Sequence, residues 1–414
     1  MADDAPRPPI QSILELTPLN PVFRDDPHVL LTPLREQFPM IRDEMGGSFF
    51  LTRYEDVRRI VTDLSLWRDP AKAEPAAVMT RRLVEQAEQN PREAEGRSIL
   101  FLDDPDHARI RTPLAQALYK RVAKSRPAVE RVVDQTLDRL ADRPGFDLMS
   151  TFSVVVPIDV IAAILGVDGE RLPEFRDWSE GIIQSLNPLR TPEQTAHLER
   201  ASLALNAYMT DLIEERRRSP QDDLVSDMVA LQSEGAPLTD AEIRTNLSTL
   251  LVAGNLTTTD LIGNGVWLFM HHPDQLAALR ADPTLINQAV EEILRYEPPV
   301  DITSRTASAE MEVRGCPVHR TQVMTVSLRS ANRDPAIFES ADRFDITRKR
   351  ASHVAFGGGA HICVGAPLAR LEAQVALGKL LTRFPNLRLA DPDAPPAWRP
   401  LPFFRGLERL DVLI

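Results

Sequence analysis

Cysteine is nearly absent from these 414 residues. Only Cys316 and Cys363 occur, which excludes a disulfide-stapled secreted scaffold and points to a reducing, cytoplasmic setting. No run of eighteen apolar residues appears, and no basic segment followed by an apolar one opens the chain, so neither membrane anchor nor secretory leader is expected. Basic residues are in deficit, 48 against 60 acidic, for a net charge of −12. That balance disfavours a nucleic-acid partner. No repeat at a solenoid period is visible, and the 34 prolines are scattered rather than clustered into a low-complexity tract.

What is present is mainly helical periodicity. Residues 1–25 read as a proline-rich, non-helical lead-in, and 26–414 as a single large body. Ser125 to Leu140 carries Val129, Val132, Val133, Leu137 and Leu140 as one apolar stripe, and Ala201 to Arg218 repeats the pattern. The longest helix signal opens with the capping box Thr239, Asp240, Ala241, Glu242 and runs to His271, with Gly254 predicting a local distortion. Strand signals are short: Met311–Val313 and Gln322–Val326, read as flanking a turn at Arg314-Gly315. The expected class is mainly α with a minor β part.

The strongest chemical signal is Phe356-Gly-Gly-Gly-Ala-His-Ile-Cys-Val-Gly365, followed by a helical pattern from Leu368 to Phe384. Consecutive glycines permit a loop pressed against a flat ligand. Cys363 falls at or just before a helix N-terminus, where the dipole favours thiolate over thiol, a state suited to a soft metal ligand. A buried structural cysteine and a nucleophilic cysteine are the competing readings of this residue alone.

Phe356, Gly359, Cys363 and Gly365 together resemble the haem-binding loop of cytochrome P-450 monooxygenases. The resemblance extends through most of the chain. It implies a single P-450-like helical domain around haem b, with Cys363 as the axial iron ligand and Phe356, Gly357 and Gly365 in the haem-binding loop. Glu292-Ile-Leu-Arg295 matches the family's structural E-x-x-R, and Arg343 is expected as its third partner. His107 and Arg111, with Arg305 and His361, occupy the family's propionate-binding positions.

Within the long helix, Ala253-Gly254-Asn255-Leu256-Thr257-Thr258 resembles the family's oxygen-activating segment. Small Ala253 and Gly254 admit the haem face, and Thr257 is the expected oxygen-side hydroxyl. Leu256 stands where the family carries an acid, and leucine cannot relay protons. Asp260, one turn on, is the expected substitute, with Asn255 or water assisting. The alternatives are a peroxide-using or atypical haem-thiolate enzyme, a non-catalytic haem-thiolate sensor and, without haem, a cysteine hydrolase.

The resemblance also implies a small hydrophobic substrate near Leu250, Ala253, Val300, Ile302, Thr303, Phe403 and Phe404, between the long helix and loops at 75–95, 180–187, 300–303 and 402–405. Dioxygen is the co-substrate. Electrons are expected from a separate ferredoxin and its NAD(P)H-dependent reductase, with Arg109 and Arg370 as candidate docking charges.

Overall fold

The computed structural model describes residues 7–77, 97–187, 189–349 and 352–414. The described helices are α1 (Pro21–Asp25), α2 (His28–Gln37), α3 (Tyr54–Thr62), α4 (Asp106–Val122), α5 (Arg126–Asp138), α6 (Val155–Leu165) and α7 (Leu172–Ile182). They continue with α8 (Pro192–Arg218), α9 (Leu224–Ser233), α10 (Asp240–His271), α11 (Pro273–Ala281), α12 (Ile286–Tyr296), α13 (Leu328–Ala331) and α14 (Ala366–Arg383). The strands are β1 (Met40–Asp43), β2 (Ser48–Leu51), β3 (Gly145–Asp147), β4 (Ile302–Thr306), β5 (Met311–Val313) and β6 (Cys316–Val318). After them come β7 (Val323–Ser327), β8 (Arg388–Leu389), β9 (Ala397–Trp398), β10 (Leu407–Arg409) and β11 (Asp411–Leu413). Among the described residues no helix is long and apolar enough to cross a membrane.

These elements group into two compact units. The first holds residues 7–77, 291–349, 352–363 and 398–405; the second holds 97–187, 189–290, 364–397 and 406–414.

The first unit is built on a four-stranded sheet in the order β1-β2-β7-β4, with β2 and β7 parallel and the outer pairs antiparallel. β-branched and aromatic residues supply its inner face, and α3 lays Val57, Ile60 and Val61 into the same core as Val326, Met324 and Phe338. The turn at Arg314-Gly315 joins β5 to β6, not to the strand at 323–327. Both turn residues have positive φ, 52° and 78°, the geometry that matches a two-residue hairpin. β7 instead pairs with β2 and β4, long-range partners that the local pattern does not name.

The lead-in contains more helix than its prolines suggest. Ser12 caps a 3₁₀ turn at Ile13–Glu15 through a full capping box, and Pro21 opens α1 behind the Asn20 cap. Proline at a first helical position costs nothing, because that N–H would have no intrahelical partner.

In the second unit α10 is the central element, 32 residues and about 48 Å long. Its capping box forms as expected: Glu242 N donates to Thr239 Oγ1 at 3.2 Å and Thr239 N donates to Glu242 Oε2 at 2.9 Å. α6, α8 and α14 pack against it. Close approach is enforced at Gly263, where a Cβ would lie 2.5 Å from the sulfur of Met149. The helix stays continuous through Gly254. Within it the Thr257 hydroxyl donates to the Ala253 carbonyl at 2.9 Å, as the back-bonding expectation has it, and the helix is not interrupted there. α8 starts at Pro192, earlier than its apolar stripe, because Thr191 and Gln194 form a second capping box.

His28, at the start of α2, has both ring nitrogens buried without a hydrogen-bond partner among the described residues. Burial, then repulsion by Arg333, Arg329, Arg35 and Arg405, pushes its pKa well below the usual value of 6.5 and keeps it neutral. The unfolded chain therefore binds this proton more readily than the folded one. The contribution is fully present above pH 6.5 and is lost as pH falls below it. Urea midpoints measured from pH 7.5 to about 5 should fall more steeply for the native protein than for His28→Phe. Equal slopes would show that the imidazole is not the group responsible.

Candidate active site

In the first unit, the loop before Cys363 is shaped by two left-handed glycines, Gly357 (φ 69°) and Gly359 (φ 63°). A Cβ on Gly359 would lie 2.7 Å from the Val61 carbonyl oxygen, so only glycine lets the loop rest on α3. Gly357 N donates to the Val354 carbonyl at 2.8 Å, and Cys363 N to the Phe356 carbonyl at 3.0 Å, which closes the loop on itself. Phe356 is half-buried beside the His353 ring, and His361 ends a 3₁₀ turn. Cys363 itself is exposed, three residues ahead of α14, whose N-cap is Gly365.

The E-x-x-R pair forms a buried clamp in the same unit. Arg295 Nη2 donates to Glu292 Oε1 at 2.7 Å and Nε donates to Oε2 at 2.8 Å. Its Nη1 also serves the carbonyls of Asn332 and Ala341. The third member is Arg348, not Arg343: Arg348 Nε lies 3.2 Å from both Glu292 oxygens. The Arg343 side chain is exposed, and the residue contributes its carbonyl, which accepts from Arg295 and Arg348 at 3.0 Å each. The expectation for Arg343 is therefore corrected: its backbone takes part and its charge does not.

The expected propionate donors divide between the units. In the second, His107 and Arg111 stand one turn apart on α4. Burial and the nearby Arg111 charge lower the His107 pKa, opposed by Asp104, whose carboxylate is 3.6 Å away. In the first, buried Arg305 donates to the Ser304 and Val61 carbonyls, at 2.8 and 3.3 Å. Arg109 is not a free docking charge. It is tied to Asp106, Glu242 and the Pro237 carbonyl, and its hydrogen bond to Glu242 raises its pKa further.

Along α10 the middle turns expose one side. Ala253 is exposed and Gly254, Leu256 and Thr257 are half-exposed, whereas Leu250, Asn255, Thr258, Thr259 and Asp260 are buried. The Asp260 carboxyl is turned onto Gly406, where a Cβ would come within 1.9 Å of Oδ1. Leu250 sits in the second unit and is 7 % exposed.

The remaining expected pocket residues do come together within the first unit. Val300 and Phe404 form a β-bridge, Asp301 N donates to the Phe403 carbonyl at 2.9 Å, and Ile302 and Thr303 open β4. Phe403 is held at φ 66°, a strained conformation for an aromatic residue. A buried charge network anchors this loop pair. Arg329 donates to Asp301 and Glu297, both at 2.5 Å, and Arg405 Nε donates to Glu297 at 2.9 Å. Of the expected flanking loop at 75–95, positions 78–95 lie outside the described residues.

Sequence reasoning missed Glu297, Asp301, Arg329, Arg405 and Glu372, all buried. A signal did exist for some of them: Asp301 interrupts Val300 and Ile302, and Glu372 falls four residues after Leu368 and four before Ala376 on the apolar face of α14.

These side chains fit a haem. The closed loop presents an exposed thiol, and a Cβ on Gly357 would meet nothing within 4 Å. Gly254 is open to within 3.8 Å of Ile161, and imidazole and guanidinium donors suited to carboxylates stand in both units.

Comparison with known proteins agrees. Residues 34–397 match the family described as Cytochrome P450. "Cytochrome P450 107B1" of Saccharopolyspora erythraea is 39 % identical over 404 residues, 96 % of this chain and 97 % of that protein. The 6-deoxyerythronolide B hydroxylase of the same organism is 34 % identical, over 94 % of this chain and 96 % of its own. The crystal structure of the myxobacterial cytochrome P450 CYP267B1 in complex with myristic acid superposes with a TM-score of 0.88 at 31 % identity, covering 97 % of this chain and 99 % of that one.

The clamp geometry separates two arginines that look alike in sequence. Arg348→Ala leaves Glu292 short of one cation and should cost about 3 kcal/mol. Arg343→Ala should stay within about 0.5 kcal/mol. Denaturant unfolding of both variants checks the assignment, and a larger loss for Arg343→Ala would reverse it.

Proposed function

The chain belongs to the cytochrome P450 family and is a mainly α monooxygenase with a minor β part; from that premise we propose how its residues divide the work. Residues 26–414 would form one haem domain holding haem b, with the Cys363 thiolate as the iron ligand. His107, Arg111, Arg305 and His361 hold the propionates. The haem supplies an iron centre at which dioxygen is activated for insertion of one oxygen atom into substrate. The observation that carries this reading is the closed glycine loop, which leaves Cys363 exposed just ahead of α14.

Thr257 is the oxygen-side hydroxyl: it sits on the open side of α10, and its bond to the Ala253 carbonyl fixes its rotamer. Asp260, one turn after Leu256, takes the place of the missing acid in proton delivery, with Asn255 or water assisting; its carboxyl is buried beside Gly406. Val300, Ile302, Thr303, Phe403, Phe404 and Leu250 receive the substrate, and their apolarity selects a hydrophobic molecule. The hydroxylase of 6-deoxyerythronolide B and the structure holding myristic acid support that class. Electrons come from a separate ferredoxin and NAD(P)H-dependent reductase in the cytoplasm. Leu256 favours one second reading, a peroxide-driven enzyme. NADH-dependent product formation through a surrogate ferredoxin, without added peroxide, decides against it.

The reduced protein under carbon monoxide should show the strongly red-shifted Soret band of thiolate-ligated haem, and Cys363→Ser should abolish it. A band that survives the substitution would assign the iron to another ligand. Thr257→Ala should keep the band and lower coupling, so that the share of electrons released as hydrogen peroxide rises several-fold. Unchanged coupling would remove the hydroxyl from the reaction.

A further inference from the structure

The segment that leads into the cysteine loop carries a buried imidazole, His353, whose side chain is 5 % exposed. The backbone on either side of it is tied. The Tyr54 hydroxyl donates to the Ser352 carbonyl, and Val354 N donates to Asn332 Oδ1 at 2.8 Å.

Both nitrogens of the His353 ring are also engaged. Ala355 N donates to Nδ1 at 3.2 Å, which makes Nδ1 the accepting nitrogen and places the ring proton on Nε2. Nε2 lies 3.2 Å from Glu291 Oε2, the acceptor for that proton. Glu291 is the neighbour of Glu292 on α12, the helix that carries the buried clamp. The imidazole is thus held in one tautomer and one orientation from a rigid base.

The same ring stands against Phe356, with centroids 6.1 Å apart at 44°, within the range of favourable ring contact. Phe356 in turn gives its carbonyl to Cys363 N at 3.0 Å. A continuous set of contacts therefore runs from Glu291 through His353 and Phe356 to Cys363, all within the first unit. The glycines between Phe356 and Cys363 have no side chains with which to fix the loop, so a turn of the backbone at 356 would carry the Cys363 amide with it.

We propose that His353, fixed by Glu291, is the positioning residue of the cysteine loop: its neutral ring sets Phe356 and, through the Phe356 carbonyl, the direction in which Cys363 presents its sulfur. The role calls for no proton or electron transfer. It rests on the haem-thiolate reading above and names what holds that ligand in place.

Three variants of the holoenzyme test it. His353→Phe keeps a flat ring against Phe356 and loses both hydrogen bonds. His353→Asn keeps an amide oxygen near the Nδ1 position, able to accept from Ala355 N. Glu291→Leu removes the acceptor for Nε2. In reduced His353→Phe under carbon monoxide, the red-shifted Soret band should convert to the unshifted form about tenfold faster than in the native protein, with a displaced reduction potential. Glu291→Leu should move both readouts in the same direction, and His353→Asn should recover part of the native behaviour. Urea unfolding followed by circular dichroism is recorded on the same proteins. A conversion rate and potential at native values in His353→Phe overturn the proposal. So does a band lost only at the urea concentration that unfolds the whole protein, because a merely structural core residue acts that way. Failure of the haem-thiolate reading appears as absence of the red-shifted band from the native protein, whereas failure of the His353 proposal appears with that band present and indifferent to the substitutions.

Discussion

The cysteine loop depends on one buried guanidinium. Arg295 is 2 % exposed, yet every direction of its fork is occupied: two bonds to Glu292 and three to the carbonyls of Asn332, Ala341 and Arg343. Burying a charge this deeply is tolerable only when all its donors are satisfied, and removing one partner of such a pair costs about 3–5 kcal/mol, a large part of a domain's stability. The path continues outward from the clamp. Asn332, whose carbonyl accepts from Arg295, also accepts on its side chain from Val354 N at 2.8 Å, and Val354 is where the loop toward Cys363 begins. A rigid pair on α12 thus fixes the first residue of a segment whose glycines would otherwise leave it free.

The far end of that segment is fixed by shape rather than charge. Gly358 and Gly359 press on Val61 and Thr62, and a single methyl group at 359 would meet backbone atoms that cannot move aside. The loop is held at both ends with its middle turned to open space at Gly357. This is the preorganisation a metal ligand needs, because a thiol on a mobile loop would lose binding energy to ordering.

Much of this was legible in the sequence wherever the determinant is local. The Thr239 capping box, the α5 stripe and the E-x-x-R pair are each settled within a few residues, and each forms as expected. Where the determinant is a partner distant in sequence, local reading fails. Arg343 and Arg348 are five residues apart and equally basic, and only the path of the backbone at 339–348 turns the second toward Glu292. β7 has a strong strand pattern, but its neighbours β2 and β4 come from remote segments. The positive φ of Phe403 has no signature at all, since nothing local favours an aromatic residue there. Glu372 was missed although a local signal existed: a carboxyl at core spacing in an apolar stripe is a misfit.

The buried acids show how the balance of burial and partners decides what a carboxyl does. Glu297 is fully buried, but Arg329, Arg405 and Arg333 surround it and hold its pKa below the ordinary value. Asp301 shares Arg329 and is nevertheless raised, because desolvation outweighs a guanidinium divided between two acids, and the Glu297 charge adds to the rise. Glu292 is gripped by two guanidiniums. Glu372 has a neutral hydroxyl for a partner and rises furthest. The first unit therefore ties its acids to arginines, Glu292 beside the cysteine loop and Glu297 and Asp301 beside the Phe403 turn. The second unit keeps Glu372, whose burial favours the protonated form and whose carboxyl meets the Thr258 hydroxyl. No charge is among the influences on the Glu372 carboxyl, so burial raises its pKa with only a neutral hydroxyl opposing, the reverse of the balance that the surrounding arginines strike at Glu297.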